Sequence, residues 1–241
     1  MTDSLRLDFS SGRTYLTGLA PINQELMKIG VRVSIVPLVK ESLEILKLST
    51  SPSSELLSLQ QQQQLISMYA LDRPALLGLI AEAGRDPACE SGGSLVTSEK
   101  DVPPYPKVYD LKALGAQGQV DTQLKFGPFH VNSSADGVGV DEVMTLVSGG
   151  PWTWFFANSQ DGELMKLSLG YVQPSKGAMR LSYCGINPHG AFMQSLSSPD
   201  GSNGGICVAH AHGPHEWRLE YADVGVNPWC DFSDSCCPVL L

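Results

Sequence analysis

The chain of 241 residues is 42% hydrophobic and 17% charged, a composition that allows one sizeable core in a single compact unit. Its formal charge of -9, from 25 acidic and 16 basic residues, opposes binding to nucleic acid and to anionic membrane surfaces, because both require clustered Lys and Arg. The sequence lacks an apolar run of about 18 residues and a signal-peptide pattern, so we expect a cytoplasmic protein that binds no membrane. We expect its six scattered cysteines to be free thiols.

The first 90 residues are predicted to form a helical N-terminal segment. Leucines and isoleucines recur at spacings of three and four over residues 37–48 and 55–70, which is the period of an amphipathic helix. Asp72 is a typical N-cap for a third helix, whose first turn would contain Pro74. These patterns predict three helices in this segment.

From residue 126 onward the pattern changes to that of short strands. Short apolar segments, such as residues 143–147 and 217–221, are separated by turn signals such as Asp161-Gly162. A stretch rich in Gly, Pro and Ser at residues 85–105 lies between the two regions. We therefore predict an α+β protein with an antiparallel sandwich or barrel in its C-terminal part.

All five histidines fall between His130 and His215. His210 and His212 are two residues apart in a segment predicted as strand, so their imidazoles should project from the same face. Imidazole is a common ligand of divalent metals. The spacing favours a metal-centred or acid/base site in the C-terminal half. The alternative is that these histidines are structural and hydrogen-bonded, because such histidines would give the same pattern.

An aromatic run occupies one of the predicted strands. Trp152, Trp154 and Phe156 alternate with other residues and should share one face of that strand. Packing in the core is one interpretation of this face, and a wall that binds a ligand is the other.

Two short motifs resemble those of the cupin superfamily. Phe129-His130, followed by Asp141-Glu142 and then Gly149, resembles the first conserved stretch of a cupin, in which a histidine and a glutamate precede a strand that ends in glycine. Residues 186–190, Ile-Asn-Pro-His-Gly, resemble the second motif, a Pro-x-Gly turn. The chain departs from metal-binding cupins at Met193, where they normally have a histidine.

The chain is thus similar, over residues 126–225, to small bacterial cupins of the sugar-epimerase-like jelly-roll group. This resemblance implies that a helical segment at residues 1–90 precedes a cupin-like antiparallel β-barrel, or jelly roll, at residues 91–225. Residues 226–241 would form a C-terminal tail.

The resemblance also implies a metal-dependent enzyme. His210 and His212 would face the barrel interior and complete a site begun by His130 and Glu142, holding a divalent Zn, Fe, Mn or Ni ion. The expected reaction is that of a lyase or isomerase acting on a small polar molecule that is carboxylated or sugar-like. Cupins commonly pair through strand edges, so a homodimer is expected as well.

Three alternatives remain open. A metal-free epimerase-like enzyme would use His130 or His210 as general base beside Tyr183 as acid, and His189, in its turn, is a further catalytic candidate at the cavity mouth. A non-catalytic ligand-binding or sensor barrel would need no metal. A structural or dimerisation module would have a barrel filled by its own side chains.

Overall fold

The computed structural model describes residues 5–51, 55–89, 96–97, 105–193, 204–214 and 216–223. Within these ranges the helices are α1 (Leu19–Leu26), α2 (Leu43–Thr50), α3 (Leu59–Met68), α4 (Arg73–Glu82) and α5 (Leu111–Phe126). None of these helices is both long and apolar enough to cross a membrane. His215 and the predicted tail at residues 226–241 lie outside the described residues.

The three helices predicted in the first 90 residues are present as α2, α3 and α4. A capping box begins α3: Ser58 Oγ accepts from the Gln61 backbone N–H at 3.2 Å, and the Gln61 side chain accepts from the Ser58 N–H at 2.8 Å. Asp72 caps α4 as predicted, accepting from the Ala75 N–H at 2.8 Å, and Pro74 lies in the first turn. Local side-chain chemistry therefore determines where α3 and α4 begin.

Helices α1 and α5 were not predicted. Helix α5 is interrupted at Gly115, where φ is 63°, and it buries only Leu111 and Gln123. Helix α1 has eight residues and buries only Ile22 and Leu26. Helix α5 has no repeated apolar stripe, and in α1 the stripe is limited to Leu19, Ile22 and Leu26, which is too few for an amphipathic helix to be recognised in a sequence.

The strands within the described ranges form one branched, mainly antiparallel sheet. They are β1 (Arg6–Phe9), β2 (Leu16–Thr17), β3 (Arg32–Val36), β4 (Val96–Thr97), β5 (Lys107–Asp110), β6 (His130–Ser133), β7 (Asp141–Ala157), β8 (Leu164–Val172), β9 (Ala178–Cys184), β10 (His189–Met193), β11 (Gly205–His212) and β12 (Glu216–Tyr221). The main order is β2-β1-β8-β7-β10-β6-β12-β4. From β7, one branch continues through β11 to β5 and another through β9 to β3.

The 17-residue strand β7 joins the two halves of the sheet. Residues 141–146 pair with β9 and β11, whereas residues 152–156 pair with β8 and β10. The ladder between β7 and β8 shifts register at the bend between these parts, where Gly149 has a φ of 71°. The inner faces of both halves meet in one hydrophobic core, which includes Met144, Leu146, Trp154, Phe156, Leu167, Leu181, Cys207 and Trp217.

The structure confirms the α+β class, but the prediction of a closed barrel is wrong. Among the described residues, no pairing joins the outermost strands β2, β3, β4 and β5 to one another, so the sheet stays open. The first 90 residues also contain strands that were not predicted, since β1 pairs with β8 and β3 pairs with β9. Strands of four or five residues are too short to show a clear period of two.

Candidate functional site

A cavity lies between the two halves of the sheet, against the inner faces of β6, β7, β9 and β10. Its empty space, including the mouth, is about 500 Å³. It is lined by Tyr105, Tyr109, Phe126, His130, Asn132, Glu142, Met144, Trp154, Tyr183, His189, Ala191, Cys207 and Trp217. A largely aromatic wall with a few convergent polar groups is typical of a site for a small molecule.

Two of the five histidines lie side by side in this cavity. The antiparallel pairing of β6 with β10 places His130 opposite His189, with ring centroids 4.4 Å apart. His130 Nδ1 is 2.9 Å from the carbonyl oxygen of Pro128, and His189 Nδ1 is 2.8 Å from that of Asn187. Because a carbonyl oxygen only accepts hydrogen bonds, each Nδ1 carries the ring proton. Each Nε2 therefore keeps a lone pair with which it can bind a metal ion or a proton.

Glu142 is buried beside this histidine pair. Asn132 Nδ2 donates to its Oε1 at 2.5 Å, and the Tyr183 hydroxyl donates to its Oε2 at 2.9 Å. His189 Nε2 is 3.9 Å from Oε1. The strand geometry explains this grouping, since Asn132 is two residues after His130 on β6 and Tyr183 is directly opposite Glu142 in the ladder of β7 with β9. Five polar side chains thus meet on one inner surface.

Burial determines which of these groups carry protons. It lowers the pKa of His130 to about 3, an effect to which the neighbouring His189 adds, and it lowers the pKa of His189 to about 4. Burial raises the pKa of Glu142, although the hydrogen bonds from Asn132 and Tyr183 oppose this effect. Burial also raises the pKa of Tyr183 well above its ordinary value. At neutral pH both imidazoles are therefore uncharged and the phenol keeps its proton.

The aromatic run on β7 divides between the core and the cavity. Trp152 and Phe156 are fully buried in the core, as the packing interpretation predicted. Trp154 lines the cavity, and its indole Nε1 donates to the Tyr183 hydroxyl at 3.4 Å. Of the three aromatic residues, Trp154 alone is among the residues that line this cavity, and its role in ligand binding stays a prediction.

His210 and His212 do not join the other site residues. Because side chains alternate along β11, Cys207 faces the cavity, whereas His210 and His212 project from the opposite face. His210 Nε2 accepts from the backbone N–H of Leu71 at 3.3 Å, and His212 Nδ1 is 3.6 Å from Asp141 Oδ2. The structure therefore places these two histidines outside the cavity that contains the other candidates.

Replacing Arg85 with methionine is expected to destabilise the protein by about 3 kcal/mol or more. The Arg85 guanidinium forms an ion pair with the fully buried Asp141 and donates to Ser182 Oγ at 3.0 Å, so the substitution leaves a buried carboxylate without its cation. Urea unfolding followed by tryptophan fluorescence measures the loss. The control is Arg218→Met, which removes an ion pair with Glu220 that is about half exposed and should change the stability by less than about 1 kcal/mol. Equal effects of the two variants would contradict the role assigned to burial.

The cavity brings together nitrogen and oxygen donors of the kind that divalent metal ions bind. Counting only His, Cys, Asp and Glu, the described residues contain no group of three or more that could hold a metal. Asn132 supplies a further donor, since its Oδ1 is buried and accepts no hydrogen bond. Together with Nε2 of His130 and of His189 and a carboxylate oxygen of Glu142, it makes a set of nitrogen and oxygen donors suited to Zn, Fe, Mn or Ni. The carbonyl oxygens on both Nδ1 atoms match the outer contacts typical of metal-bound histidines, so the donor chemistry fits a metal ion.

Comparisons with known proteins identify the fold. No protein-family model matches the sequence, and no curated protein matches it. One similar solved structure is acireductone dioxygenase from Bacillus anthracis with cadmium ion in its active centre. The two chains are 13% identical with a TM-score of 0.56, and the alignment covers 90% of this chain and 98% of that chain. The chain has the cupin fold.

The similarity extends well beyond the residues whose motifs pointed to it. At this identity it shows the cupin fold alone, but it covers 90% of the chain, whereas the sequence motifs suggested residues 126–225. Because only a tenth of the chain lies outside the alignment, most of the first 90 residues fall within the region that resembles a cupin. In this cupin fold His189 supplies the second imidazole of the cavity, so the methionine at position 193 does not leave His130 alone.

Four of the polar cavity residues were predicted from the sequence, whereas several further cavity residues were not. The structure brings together His130, Glu142, Tyr183 and His189, all of which were candidates. It adds Asn132, which the sequence analysis overlooked although its position two residues after His130 put it on the same face of a strand. Tyr105, Tyr109 and Trp217 carried no comparable signal, because they reach the cavity only through the pairing of distant strands.

Proposed function

We propose that the cavity is the active site of a metal-dependent enzyme that acts on a small polar molecule. The observation that carries this proposal is the side-by-side arrangement of His130 and His189, each with Nδ1 held by a backbone carbonyl and Nε2 left unprotonated. Glu142 and Asn132 supply oxygen atoms beside them. The acireductone dioxygenase of similar fold has a cadmium ion in its active centre, which supports a divalent metal ion in this protein as well.

The residues around the donor set have distinct tasks. His130, Asn132, Glu142 and His189 would hold the ion, which when bound acts as a Lewis acid toward a substrate oxygen. Tyr183 keeps its proton at neutral pH because burial raises its pKa, and its hydroxyl group, which lines the cavity, would be the proton donor of the site. The hydrogen bond from Trp154 keeps the oxygen of Tyr183 in place. The aromatic wall excludes bulk water from these groups.

We infer a lyase or isomerase reaction on a carboxylated or sugar-like molecule. Both reaction classes move a proton on the substrate, and Tyr183 beside Glu142 provides a hydrogen-bonded pair of groups suited to that transfer. The flat side chains of the cavity suit a sugar ring or a planar acid. The cytoplasmic location and the homodimer stay predictions.

A metal-free acid/base enzyme is the second candidate, and the hydrogen bonds of Glu142 favour it. Both carboxylate oxygens already accept hydrogen bonds, one from Asn132 and one from Tyr183. His189, which is neutral and has an unprotonated Nε2, would then act as the general base and Tyr183 as the acid. A non-catalytic ligand-binding protein would use the same cavity. The meeting of five polar side chains on one inner surface argues against a purely structural module, whose interior would be filled by apolar packing.

Elemental analysis of the purified, tag-free protein tests the metal proposal. Wild-type protein is expected to contain near-stoichiometric Zn, Fe, Mn or Ni. His130→Ala and His189→Ala should each lose most of it, because each variant removes a nitrogen donor from the cavity. The matched control is the His210→Ala/His212→Ala double variant, which removes two imidazoles from the opposite face of the sheet and should keep its metal.

The other outcomes are equally informative. Metal that is lost from the double variant and kept by the cavity variants would place the ion at His210 and His212, contrary to the proposal. An absence of metal from wild-type protein after reconstitution would reject the metal-dependent enzyme and leave the acid/base alternative. In that case Tyr183→Phe and His189→Gln become the variants with which to test catalysis once a substrate is found.

A further inference from the structure

A buried lysine, the first residue of β5, lies next to this cavity. Lys107 is 5% exposed, and its Nζ has no hydrogen-bond partner. In the ladder of β5 with β11, Lys107 is opposite Ala209 and Tyr109 is opposite Cys207. Tyr109 and Cys207 line the cavity, and alternation puts Lys107 on the same face of β5 as Tyr109. The lysine side chain therefore projects toward the cavity side of the sheet.

Two aromatic rings of the cavity wall flank the ammonium group. Lys107 Nζ is 4.3 Å from the ring centroid of Tyr105 and 4.6 Å from that of Tyr109. Cation–π contacts of this kind stabilise the charge, but they leave its N–H donors without acceptors. A buried ammonium with unused donors is unfavourable unless an anion occupies the adjoining space. Burial lowers the pKa of Lys107 to about 8, while the nearby Glu142 opposes this effect, so the group is mainly protonated at neutral pH.

We propose that Lys107, between Tyr105 and Tyr109, binds the carboxylate group of the small molecule that occupies the cavity. This inference rests on the proposed function in one respect, namely that a small molecule occupies the cavity. Glu142, the one carboxylate among the residues that line the cavity, already accepts hydrogen bonds from Asn132 and Tyr183, so the N–H donors of Lys107 are left for a ligand. The ligand's acid group is therefore directed to Lys107 and its other end to His130 and His189.

A carboxylate fits this position better than a phosphate does. The residues that line the cavity include no Lys or Arg, and Lys107 contributes one positive charge beside it. Proteins bind phosphate groups with several donors and often with more than one cation. A carboxylate carries one negative charge and is planar, which matches a single ammonium between two aromatic rings. Lys125 is near enough to lower the pKa values of Lys107 and His130, but it is not among the residues that line the cavity.

Ligand binding by matched acids and amides tests the proposal. Acetate and propionate are titrated against acetamide and propionamide at constant ionic strength, with binding followed by ligand-observed NMR and by fluorescence of the cavity tryptophans. The acids are expected to bind wild-type protein with Kd values in the millimolar range and to bind Lys107→Met about 10- to 100-fold more weakly. The amides should not distinguish the two proteins. Lys47→Met removes a lysine that is 67% exposed and should behave like wild type.

Three results would overturn the proposal. In the first, the acids bind wild type and Lys107→Met with equal affinity. In the second, no acid binds at about 50 mM, and in the third, the protein prefers inorganic phosphate to the acids and this preference depends on Lys107. Lys107→Met should fold, since it removes a buried charge without a hydrogen-bond partner, and Lys107→Gln is a second uncharged variant of similar length.

Repeating the titration with chelator-treated and metal-loaded protein separates this inference from the proposed function. Lys107-dependent binding in a protein that takes up no metal would reject the metal-dependent enzyme and leave the lysine site intact. Acid binding that requires metal and ignores the Lys107 substitution would reject the lysine site and leave the metal proposal intact.

Discussion

Gly149→Ala is expected to destabilise the protein by more than about 4 kcal/mol, which is most of the stability of a marginally stable domain. Gly149 has a φ of 71°, and a Cβ atom added there would lie 2.0 Å from the carbonyl oxygen of Gly204 and 2.4 Å from the Cα of Gly205. Both contacts involve backbone atoms, which cannot rotate away as a flexible side chain does. Strands β7 and β11 would have to separate at the bend. Soluble yield and urea unfolding of the purified variant measure the effect.

Gly137→Ala is the matched control for this substitution. Gly137 has a φ of 77°, but an added Cβ would meet no atom within 4 Å. The control therefore carries only the cost of a left-handed conformation in an L-residue, roughly 1–2 kcal/mol. Similar losses in the two variants would show that backbone conformation alone determines the effect and that the close approach of Gly204 is unimportant.

Acidification of the metal-free protein from about pH 7.5 to about pH 5 is expected to remove several kcal/mol of folding stability. The pKa of His130 is lowered to about 3 and that of His189 to about 4, whereas an unfolded histidine titrates near pH 6.5. The unfolded state therefore takes up protons first. The contribution of these two histidines to folding stability is fully present above about pH 6.5. It is lost as the pH falls toward their pKa values in the folded state. Each histidine contributes on the order of 2 kcal/mol to the loss at pH 5.

Glu142 has the opposite effect on how folding stability changes with pH. Its pKa is raised by burial, so the folded state binds its proton more readily and the contribution of this group to stability decreases as the pH rises. His210, whose pKa is also lowered to about 4 by burial, adds to the loss at low pH, and the histidines together should outweigh one carboxylate.

Urea unfolding in the presence of a chelator, over this pH range, checks the prediction. His189→Gln should reduce the slope between pH 6.5 and pH 5, because the glutamine side chain does not titrate. Stability measured above about pH 7.5 provides the internal control, since there the imidazoles are neutral in both states. Stability that stays constant down to pH 5 would mean that the buried histidines do not remain neutral in the folded protein.

The elements that the sequence predicted are those with local causes. Asp72 and Pro74 define the start of α4 within a few residues, and the apolar spacing around Leu65 marks the buried face of α3. Strands β1 and β3 depend instead on partners far along the chain, in β8 and β9. Their four or five residues have little preference of their own, because strand formation depends mostly on the neighbours against which a segment packs.

The site shows the same division between local and distant causes. Period-two alternation correctly places His210 and His212 on one face of a strand, but it does not say which face meets the cavity. The register of β11 with β7 decides this, because it pairs Ala211 with Glu142 and His210 with Val143. A shift of one residue would have reversed the two faces. The meeting of His130 with His189 likewise depends on the pairing of β6 with β10, which no local pattern indicates.

Strand β7 carries both Glu142, in the polar group of the cavity, and Trp154, in its aromatic wall. The distance between these two side chains is therefore set by one continuous backbone, whose two parts are each held by neighbouring strands on both sides. The distance between Glu142 and Trp154 is fixed before a molecule enters the cavity. The molecule must match this distance, because changing the distance would break several ladders at once. Selection among ligands at this wall is consequently by shape and length, and little binding energy is lost in ordering the protein around the ligand.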